Sequence, residues 1–213
     1  MSFIFCLARP PDRRRIIAVF LIIFRVMEKK RCGWCVGDPL YEAYHDEQWG
    51  VPVRDDATLF EFLLLETFQA GLSWITILRK RENFRKAFDD FDYRKIATYG
   101  PEKVASLLED SGIIRNRLKI HSSITNAQAF MKVQQEYGSF STYFWGFTDG
   151  KTIQNELEDY RLGPATTPLS DRISRDLKKR GFKFVGSTVV YAHMQATGMV
   201  NDHEITCFRY REV

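Results

Sequence analysis

From residue 31 to the C-terminus, apolar side chains recur every three or four positions, which is the spacing that places them on one face of an α-helix. The clearest example follows Asp55-Asp56, whose carboxylates suit a helix N-cap, and it carries Leu59, Phe62 and Ala70 on one face. The same spacing predicts further helices over residues 79–88, 101–108, 117–131, 170–180 and 188–197, and a shorter aromatic helix over 140–147.

Glycine, proline and hydroxyl side chains mark the ends of these segments. Gly112, Gly181 and Gly198 are predicted to end helices, and Ser170 is predicted to cap the helix that follows it. Residues 151–167 show no helical period and are predicted to be irregular. No alternation of apolar and polar residues is long enough to indicate a sheet. The pattern therefore predicts an all-α fold.

The N-terminal residues differ from the rest of the chain. Three arginines precede a run of nine apolar residues at 16–24, which is too short to span a bilayer. A signal peptide has this order of charge and apolarity, but no small-residue cleavage site follows. A membrane anchor is the alternative. We interpret residues 1–26 as a leader or a mis-called start with Met27 as the natural start, and we assign residues 27–213 to a single helical domain.

Composition narrows the class of protein. The 213 residues are 45% hydrophobic and 14% aromatic, which is enough apolar material for a sizeable core and argues against disorder. The formal net charge of +4 is compatible with a nucleic-acid partner but does not demand one. Four cysteines, at positions 6, 32, 35 and 207, are too few for a disulfide scaffold and fit a reducing compartment or a metal site.

Two short patterns typical of metal ligands lie near the two ends of the chain. Cys32-Gly-Trp-Cys35 is followed by His45, and His203 precedes Cys207 by four residues. An ion that took two ligands from each pattern would close a loop of more than 150 residues and would have no open position for water. Such an ion would be structural. The alternative is that these are ordinary buried cysteines and surface histidines.

A basic helical hairpin is predicted between the last two helices. Gly181 ends one helix and Gly186 opens the next, so that backbone N–H groups and the positive end of the second helix would be free to bind a phosphate. Basic side chains surround this turn, namely Lys178, Lys179, Arg180 and Lys183. The alternative is a plain helical hairpin with a solvated basic face.

Glu66 is the second candidate for chemistry, because it shares a helical face with apolar residues and is therefore expected to be at least half buried. Trp74 follows closely, and Trp34, Tyr44 and Trp49 lie near the first metal pattern. Aromatic faces around one buried carboxylate suit a flat, cationic ring. The alternative is that Glu66 caps a helix or pairs with an arginine while the tryptophans fill the core.

These segments form an ordered series that resembles the 3-methyladenine DNA glycosylase I family, over roughly residues 27–207. The matching stretches in the first part of the chain are Cys32-Gly-Trp, Asp38-Pro-Leu-Tyr41, Tyr44-His45-Asp46, Glu47-Gln-Trp49-Gly50-Val-Pro52, Leu65-Glu66, Gln69-Ala-Gly-Leu-Ser-Trp74, Lys80-Arg-Glu-Asn83 and Gly112-Ile-Ile-Arg115. Those in the last part are Lys178-Lys-Arg-Gly-Phe-Lys-Phe-Val-Gly186, Met194-Gln-Ala196, Gly198 and Asn201-Asp-His203.

The resemblance implies an all-α member of the helix-hairpin-helix DNA glycosylase superfamily that excises 3-methyladenine from alkylated DNA. It implies one structural zinc ion that joins the N- and C-terminal segments through Cys32, His45, His203 and Cys207. It implies a base-binding pocket made by Trp34, Tyr44, Glu66 and Trp74. It implies that the DNA-binding hairpin runs from Gly181 to Gly186. Asn201 stands about where most superfamily members place a catalytic aspartate, and the family likewise lacks that aspartate. The departure from the family pattern is Cys35, which could compete as a zinc ligand.

The resemblance also implies a mechanism. Methylation at N3 makes the attached adenine cationic and weakens its glycosidic bond, so the enzyme has to flip the nucleotide and hold the base rather than protonate it. Glu66 would accept hydrogen bonds from the base and favour its charge, and Trp74 would stack on it. Leu72 would fill the gap left in the duplex. No lysine stands where a Schiff-base nucleophile would, so we expect hydrolysis without lyase activity.

The expected partners are double-stranded DNA carrying alkylated adenine and free 3-methyladenine as product, with no membrane. A monomer in the bacterial cytoplasm, associated with the nucleoid through DNA, is expected. Two other functions compete with this reading. One is a zinc-stabilised helical module that binds DNA without chemistry, and the other is a catalytic zinc hydrolase, which conflicts with four protein ligands on the ion.

Overall fold

The computed structural model describes residues 29–213, so the interpretation of residues 1–26 lies outside the part that it describes. Residues 31–213 form one compact unit. The helices are, in chain order, α1 (Pro39–Glu47), α2 (Asp56–Gln69), α3 (Trp74–Leu78), α4 (Arg81–Ala87), α5 (Tyr93–Ile96), α6 (Pro101–Glu109), α7 (Arg117–Tyr137), α8 (Phe140–Trp145), α9 (Pro168–Lys179) and α10 (Ser187–Ala196). Short 3₁₀ segments occur at Asp89–Phe91, Gly146–Thr148, Tyr160–Leu162 and Phe208–Arg211.

This mostly helical architecture confirms the fold class in outline. Helices α1, α3 and α5 were not predicted, and the predicted helices differ from the observed ones at their ends. The helix predicted to end at residue 131 continues to Tyr137 as α7. The Ser170 prediction is wrong, because Thr167 is the N-cap of α9. Ser170 occupies the third helical position, where its hydroxyl accepts from the Thr167 N–H and completes a capping box. The sequence does contain a capping residue for this helix, but it is Thr167, three residues before the predicted Ser170.

A small parallel β-pair lies in the segment that was predicted to be irregular. Ile153–Gln154 (β1) pairs with Val200–Asn201 (β2), and a bridge between Leu157 and Glu204 continues the pairing. Two-residue strands carry no alternating pattern that a sequence could show. The pair matters because it fastens residues 151–164 to the C-terminal segment.

Helix α2 lies at the centre of the core, since its residues 59–68 are all buried. Asp55 caps it by accepting from the Thr58 N–H at 2.8 Å, as its position in the sequence predicted. The helix packs against α3, α7, α8 and α10. A helix that is apolar on every side is held in place by its neighbours, so the side chains that α2 carries have defined positions.

Two glycines allow close approaches that position the C-terminal segment. Gly198 has φ +71°, and a Cβ there would lie 2.5 Å from backbone atoms of Val51 and Pro52. Gly50 has φ +78°, and a Cβ there would lie 2.6 Å from Cε1 of His203. Both positions require glycine because of the backbone conformation and the space. The loop after α1 is thereby packed against the end of α10 and against His203.

None of the helices among residues 29–213 combines the length and the apolarity needed to cross a bilayer.

Candidate active site and metal cluster

A cavity of about 240 Å³ opens between α1, α2, α3 and α10. It is closed on another side by residues 157–164, which the β-pair fastens to the C-terminal segment. The four residues expected to form a pocket all line it, namely Trp34, Tyr44, Glu66 and Trp74. The structure therefore brings together side chains from three separate segments of the chain.

Glu66 projects from α2 into this cavity and is 3% exposed. Burial raises the pKa of its carboxyl group to about 8. Its Oε2 is buried and has no hydrogen-bond partner within the described part of the chain. The arginines that pair with a carboxylate on this helix, Arg81 and Arg85, both bind Glu61, at 2.7 and 2.8 Å. Pairing with an arginine, which the sequence left open, is therefore not what the structure shows.

Aromatic rings form the walls of the cavity. Tyr44 and Trp74 lie with ring centroids 5.3 Å apart, and Trp34 lies 4.7 Å from Tyr41 and 5.0 Å from Trp49. Trp74 is 8% exposed, and its indole Nε1 is buried without a partner among residues 29–213. A planar ligand can stack on such faces.

Two buried polar atoms without partners, Glu66 Oε2 and Trp74 Nε1, line one cavity. A buried polar group that makes no hydrogen bond costs about 1–3 kcal/mol, and such groups are rare unless they have a role. An acceptor and a donor beside stacked aromatic rings suit a flat heterocycle with polar edges. The presence of both a free acceptor and a free donor distinguishes this cavity from an ordinary void.

Several cavity residues were not singled out from the sequence. Asp202 is 2% exposed and accepts hydrogen bonds from Tyr191, Gln195 and Asn155, at 2.7, 2.7 and 2.6 Å. Gln195 and Tyr160 line the cavity as well. The only signal in the sequence was that Asp202 stands beside the expected metal ligand His203. The partners of Asp202 come from two other segments, which no local pattern connects.

A second group of buried side chains lies beside the cavity. The ligand atoms of Cys32, His45 and Cys207 all lie within 4.8 Å of one another. His45 Nε2 is 3.4 Å from Cys207 Sγ, while its Nδ1 lies 2.8 Å from an oxygen of Asp46. Both histidines of the expected ligand set are fully buried, so the surface-histidine alternative is wrong.

His203, the fourth expected ligand, is not part of this group of three, but its ring lies next to it. Its ring centroid is 5.0 Å from that of His45. Its Nδ1 is 2.9 Å from Asn201 Oδ1, and its Nε2 is buried without a partner in the described chain. Cys35 does not join the group, because its thiol donates to the Cys32 carbonyl oxygen at 3.2 Å.

Cys207 and His203 have the protonation states that suit zinc binding, whereas Cys32 would have to lose its proton to the ion. A hydrogen bond from the Cys32 thiol lowers the pKa of Cys207 to about 5, and the same interaction raises the pKa of Cys32. Burial lowers the pKa of His203 to about 3, so its imidazole is neutral at pH 7. Thiolate and neutral imidazole are the forms that bind zinc.

A turn joins α9 to α10 where the sequence places the basic hairpin. Gly181 has φ +96°, and Lys178, Lys179 and Lys183 are exposed. The first N–H groups of any helix lack intrahelical acceptors. Gly186, the N-cap of α10, has no side chain that could accept from them. The main chain of Lys183 is held by the side-chain amide of Asn126, at 2.7 and 3.0 Å.

Arg180 differs from the lysines of the hairpin. Its guanidinium binds Glu136 and Asp176, each at 2.6 Å, and lies about 5 Å above the rings of Tyr137 and Tyr143. These contacts tie the hairpin to α7 and α8.

Leu72 is 41% exposed in the turn between α2 and α3, next to Gly71 with φ +83°. The buried ammonium of Lys119 donates to the carbonyl oxygens of Phe68 and Ala70, at 2.8 and 2.6 Å. Lys119 lies on α7, so this helix fixes the end of α2 and the start of the turn. Leu72 therefore projects from a supported backbone.

Known proteins share this sequence and fold. A family model described as methyladenine glycosylase matches residues 34–210. The chain is 48% identical over 181 residues to DNA-3-methyladenine glycosylase 1 of Escherichia coli (strain K12), which covers 85% of this chain and 97% of that protein. A crystal structure of 3-methyladenine DNA glycosylase I superposes with a TM-score of 0.82 at 50% identity, covering 84% of this chain and 98% of that one. A tyrosine-to-phenylalanine variant of 3-methyladenine DNA glycosylase I in complex with 3-methyladenine superposes at 0.81 with 35% identity, over 84% and 96%.

The buried carboxyl group has a consequence for stability. The pKa of Glu66 is about 8 in the folded protein and about 4.3 in an unfolded chain, so the folded protein binds this proton more tightly. The stability that the proton contributes is fully present below about pH 4 and is lost as the pH rises to 8. We expect Glu66→Gln to remove this loss. The free energy of unfolding of the variant relative to wild type should increase by roughly 1–4 kcal/mol between pH 4 and pH 9.

Urea denaturation at a series of pH values measures this difference, and Glu102→Gln, at an exposed carboxyl on α6, is the control. Parallel stability curves for wild type and Glu66→Gln would mean that Glu66 has a partner in solution.

Proposed function

The chain belongs to the methyladenine glycosylase family, and we propose that it is a DNA base-excision repair enzyme that hydrolyses the N-glycosidic bond of 3-methyladenine. The observation that carries this proposal is the aromatic cavity with an unpaired buried carboxyl group, in a chain that matches this family over residues 34–210. The similar fold of a family member that binds 3-methyladenine supports it.

The chemistry required of the cavity is modest. Adenine methylated at N3 carries a positive charge while it is attached to the sugar, so the bond to C1′ is already weak and the leaving base needs no proton. The protein has to take the nucleotide out of the stack, hold the base and let water reach the sugar. A cavity of about 240 Å³ has room for one purine. These demands match a site built from stacking faces and hydrogen bonds.

Each of the four pocket residues has a role in this proposal. Glu66 binds the edge of the base, and its charged form favours the cationic lesion over neutral adenine. Trp74 stacks on the ring, and its free Nε1–H is available as a donor. Tyr44 and Trp34 close the pocket around the base, which is consistent with their places on its wall.

Hydrolysis without strand cleavage is the expected course. A lyase step needs a lysine amine that forms a Schiff base with the sugar. Lysine does not occur among the residues that line the cavity in the described chain. Lys119 is engaged with the end of α2.

We propose that one zinc ion is bound by Cys32, His45, His203 and Cys207. Two sulfur and two nitrogen donors are a common structural zinc set. The partnerless His203 Nε2 supports the fit, because a fourth ligand would satisfy it, and Asp46 and Asn201 orient the two imidazoles through Nδ1. Bound there, the ion would cross-link the two ends of the fold. The buried donors leave no route for a substrate, which argues against a zinc hydrolase.

We propose that the hairpin between α9 and α10 binds the DNA backbone without reading sequence. The exposed Lys178, Lys179 and Lys183 supply charge, and the turn from Gly181 to Gly186 presents backbone N–H groups. In this arrangement Arg180 supports the hairpin through Glu136 and Asp176. Leu72 is proposed to fill the space that the flipped nucleotide leaves. The enzyme is proposed to act as a monomer on chromosomal DNA in the cytoplasm.

Glu66→Gln tests the pocket. Wild-type protein should release 3-methyladenine from methylated duplex DNA, and Glu66→Gln should lower the rate about 30- to 100-fold, because a hydrogen bond between charged groups contributes about 2–3 kcal/mol. Chromatography of the released bases measures both rates. Glu61→Gln is the matched control, since Glu61 lies on the same helix and is buried but binds Arg81 and Arg85. Equal rates for wild type and Glu66→Gln would contradict the role of Glu66.

Metal analysis tests the zinc proposal. Purified protein should contain one zinc ion per chain, and His203→Ala should lose it whereas Cys35→Ser should keep it, because the Cys35 thiol points at a carbonyl oxygen. Chelation should lower the unfolding temperature of wild type, since structural zinc contributes about 10 kcal/mol or more in small domains. A chelated protein with an unchanged unfolding temperature would refute a structural ion.

Salt dependence tests the hairpin. Lys179→Ala and Lys183→Ala should each weaken binding to damaged and undamaged duplexes alike, and each should reduce the slope of log K against log salt by about one unit. Fluorescence anisotropy between about 50 and 200 mM salt measures the slope. Lys95→Ala, at an exposed lysine on α5, is the control. Slopes that match wild type would place the DNA backbone elsewhere.

A further inference from the structure

Asp202 lies at the edge of the cavity, and the mechanism above does not use it. It follows β2, is 2% exposed and takes hydrogen bonds from three side chains. Tyr191 and Gln195 of α10 donate to Oδ2, each at 2.7 Å, and Asn155 donates to Oδ1 at 2.6 Å. Buried polar groups with this many bonds hold their neighbours in fixed orientations.

The bond to Gln195 decides which way its amide faces. A carboxylate only accepts, so the NH₂ group of Gln195 must be turned towards Asp202. The opposite orientation would place two oxygens together and lose the bond. The carbonyl oxygen, Oε1, is therefore directed away from Asp202.

Gln195 also lines the cavity and is half-buried. Its Oε1 accepts no hydrogen bond within the described chain, whereas its Nε2 is engaged. The cavity wall therefore offers an acceptor at Gln195 in addition to the carboxyl group of Glu66. A ligand with an amino group can satisfy both, because an amino group has two N–H bonds.

We propose that Asp202 is a positioning residue that fixes the Gln195 amide, and that Gln195 Oε1 selects a 6-aminopurine over a 6-oxopurine. Adenine carries an amino donor at position 6, and guanine carries a carbonyl acceptor there. An oriented carbonyl oxygen accepts from the amino group of adenine. With guanine, the same oxygen would face the carbonyl oxygen of the base, and two acceptors cannot bond to each other. A site built to receive a donor rejects an analogue that lacks it, because its buried acceptor then has no partner. This inference rests on the proposed function and adds a determinant of specificity to it.

The test compares the release of 3-methyladenine and 3-methylguanine from the same methylated DNA. Gln195→Met removes the acceptor with little change of volume. Asp202→Asn allows the amide at 195 to turn its NH₂ group into the cavity, because asparagine can donate as well as accept. We expect each variant to lower the ratio of 3-methyladenine to 3-methylguanine release at least tenfold.

A double-mutant cycle separates positioning from direct contact. If Asp202 acts through Gln195, Asp202→Asn should not change the ratio further in the Gln195→Met background. Tyr191→Phe is the matched control for structural damage, because it deletes a bond to the same carboxylate and leaves the amide bond in place. It should lower the unfolding temperature and keep the ratio.

Binding of the free bases gives a second readout that needs no catalysis. Titration of the tryptophan fluorescence with 3-methyladenine and with 3-methylguanine should show the same tenfold loss of preference in both single variants. An unchanged ratio in folded Asp202→Asn, or an equal loss for both bases, would overturn the proposal. A wild type that releases neither base would instead overturn the proposed function.

Discussion

The carboxyl group of Glu66 is held inside an apolar cavity with no partner for its Oε2, and much of the surrounding structure is needed to keep it there. Such burial costs folding free energy that the rest of the chain has to offset. The continuous burial of residues 59–68 anchors the helix. Glu61, on the same helix, binds Arg81 and Arg85, whereas Glu66 has no such cationic partner in the described part of the chain.

The cavity and the group of Cys32, His45 and Cys207 are built on the same short segments. Tyr44 precedes His45, Asp202 precedes His203, and the wall formed by Trp34 begins two residues after Cys32. Glu204 extends the connection, because its Oε1 accepts from the Tyr160 N–H at 3.1 Å and holds the loop that closes the cavity. A cross-link at the cluster would therefore restrict three walls of the cavity at once. Such a cross-link would hold together a site whose residues lie more than 150 positions apart in sequence.

Local patterns in the sequence predicted what depends on local physics. The helical period and the burial of Glu66 follow from the spacing of apolar residues, the Asp55 cap follows from a carboxylate just before that period, and the structure confirms all three. What could not be predicted depends on tertiary contact. The bonds of Asp202 join segments 11 and 47 residues away, and the two-residue strands pair with each other across a similar separation in sequence. That Cys35 points away from the metal cluster is likewise a matter of packing, since its spacing from Cys32 suits a ligand.

The pKa of Glu66 explains how one carboxyl group can be tolerated when the cavity is empty and can attract a cation when a lesion enters. With a pKa of about 8, the group is mostly protonated at pH 7, so the empty cavity holds no unpaired charge. Ionising it at pH 7 costs about 1.4 kcal/mol, since one pKa unit corresponds to that amount. Attraction to a cationic base in a cavity of low polarity exceeds this cost, because two unit charges 4 Å apart interact by about 4 kcal/mol at an effective dielectric constant of 20. Neutral adenine provides no such attraction, so in the proposed site the same burial that destabilises the carboxylate would also discriminate against the undamaged base.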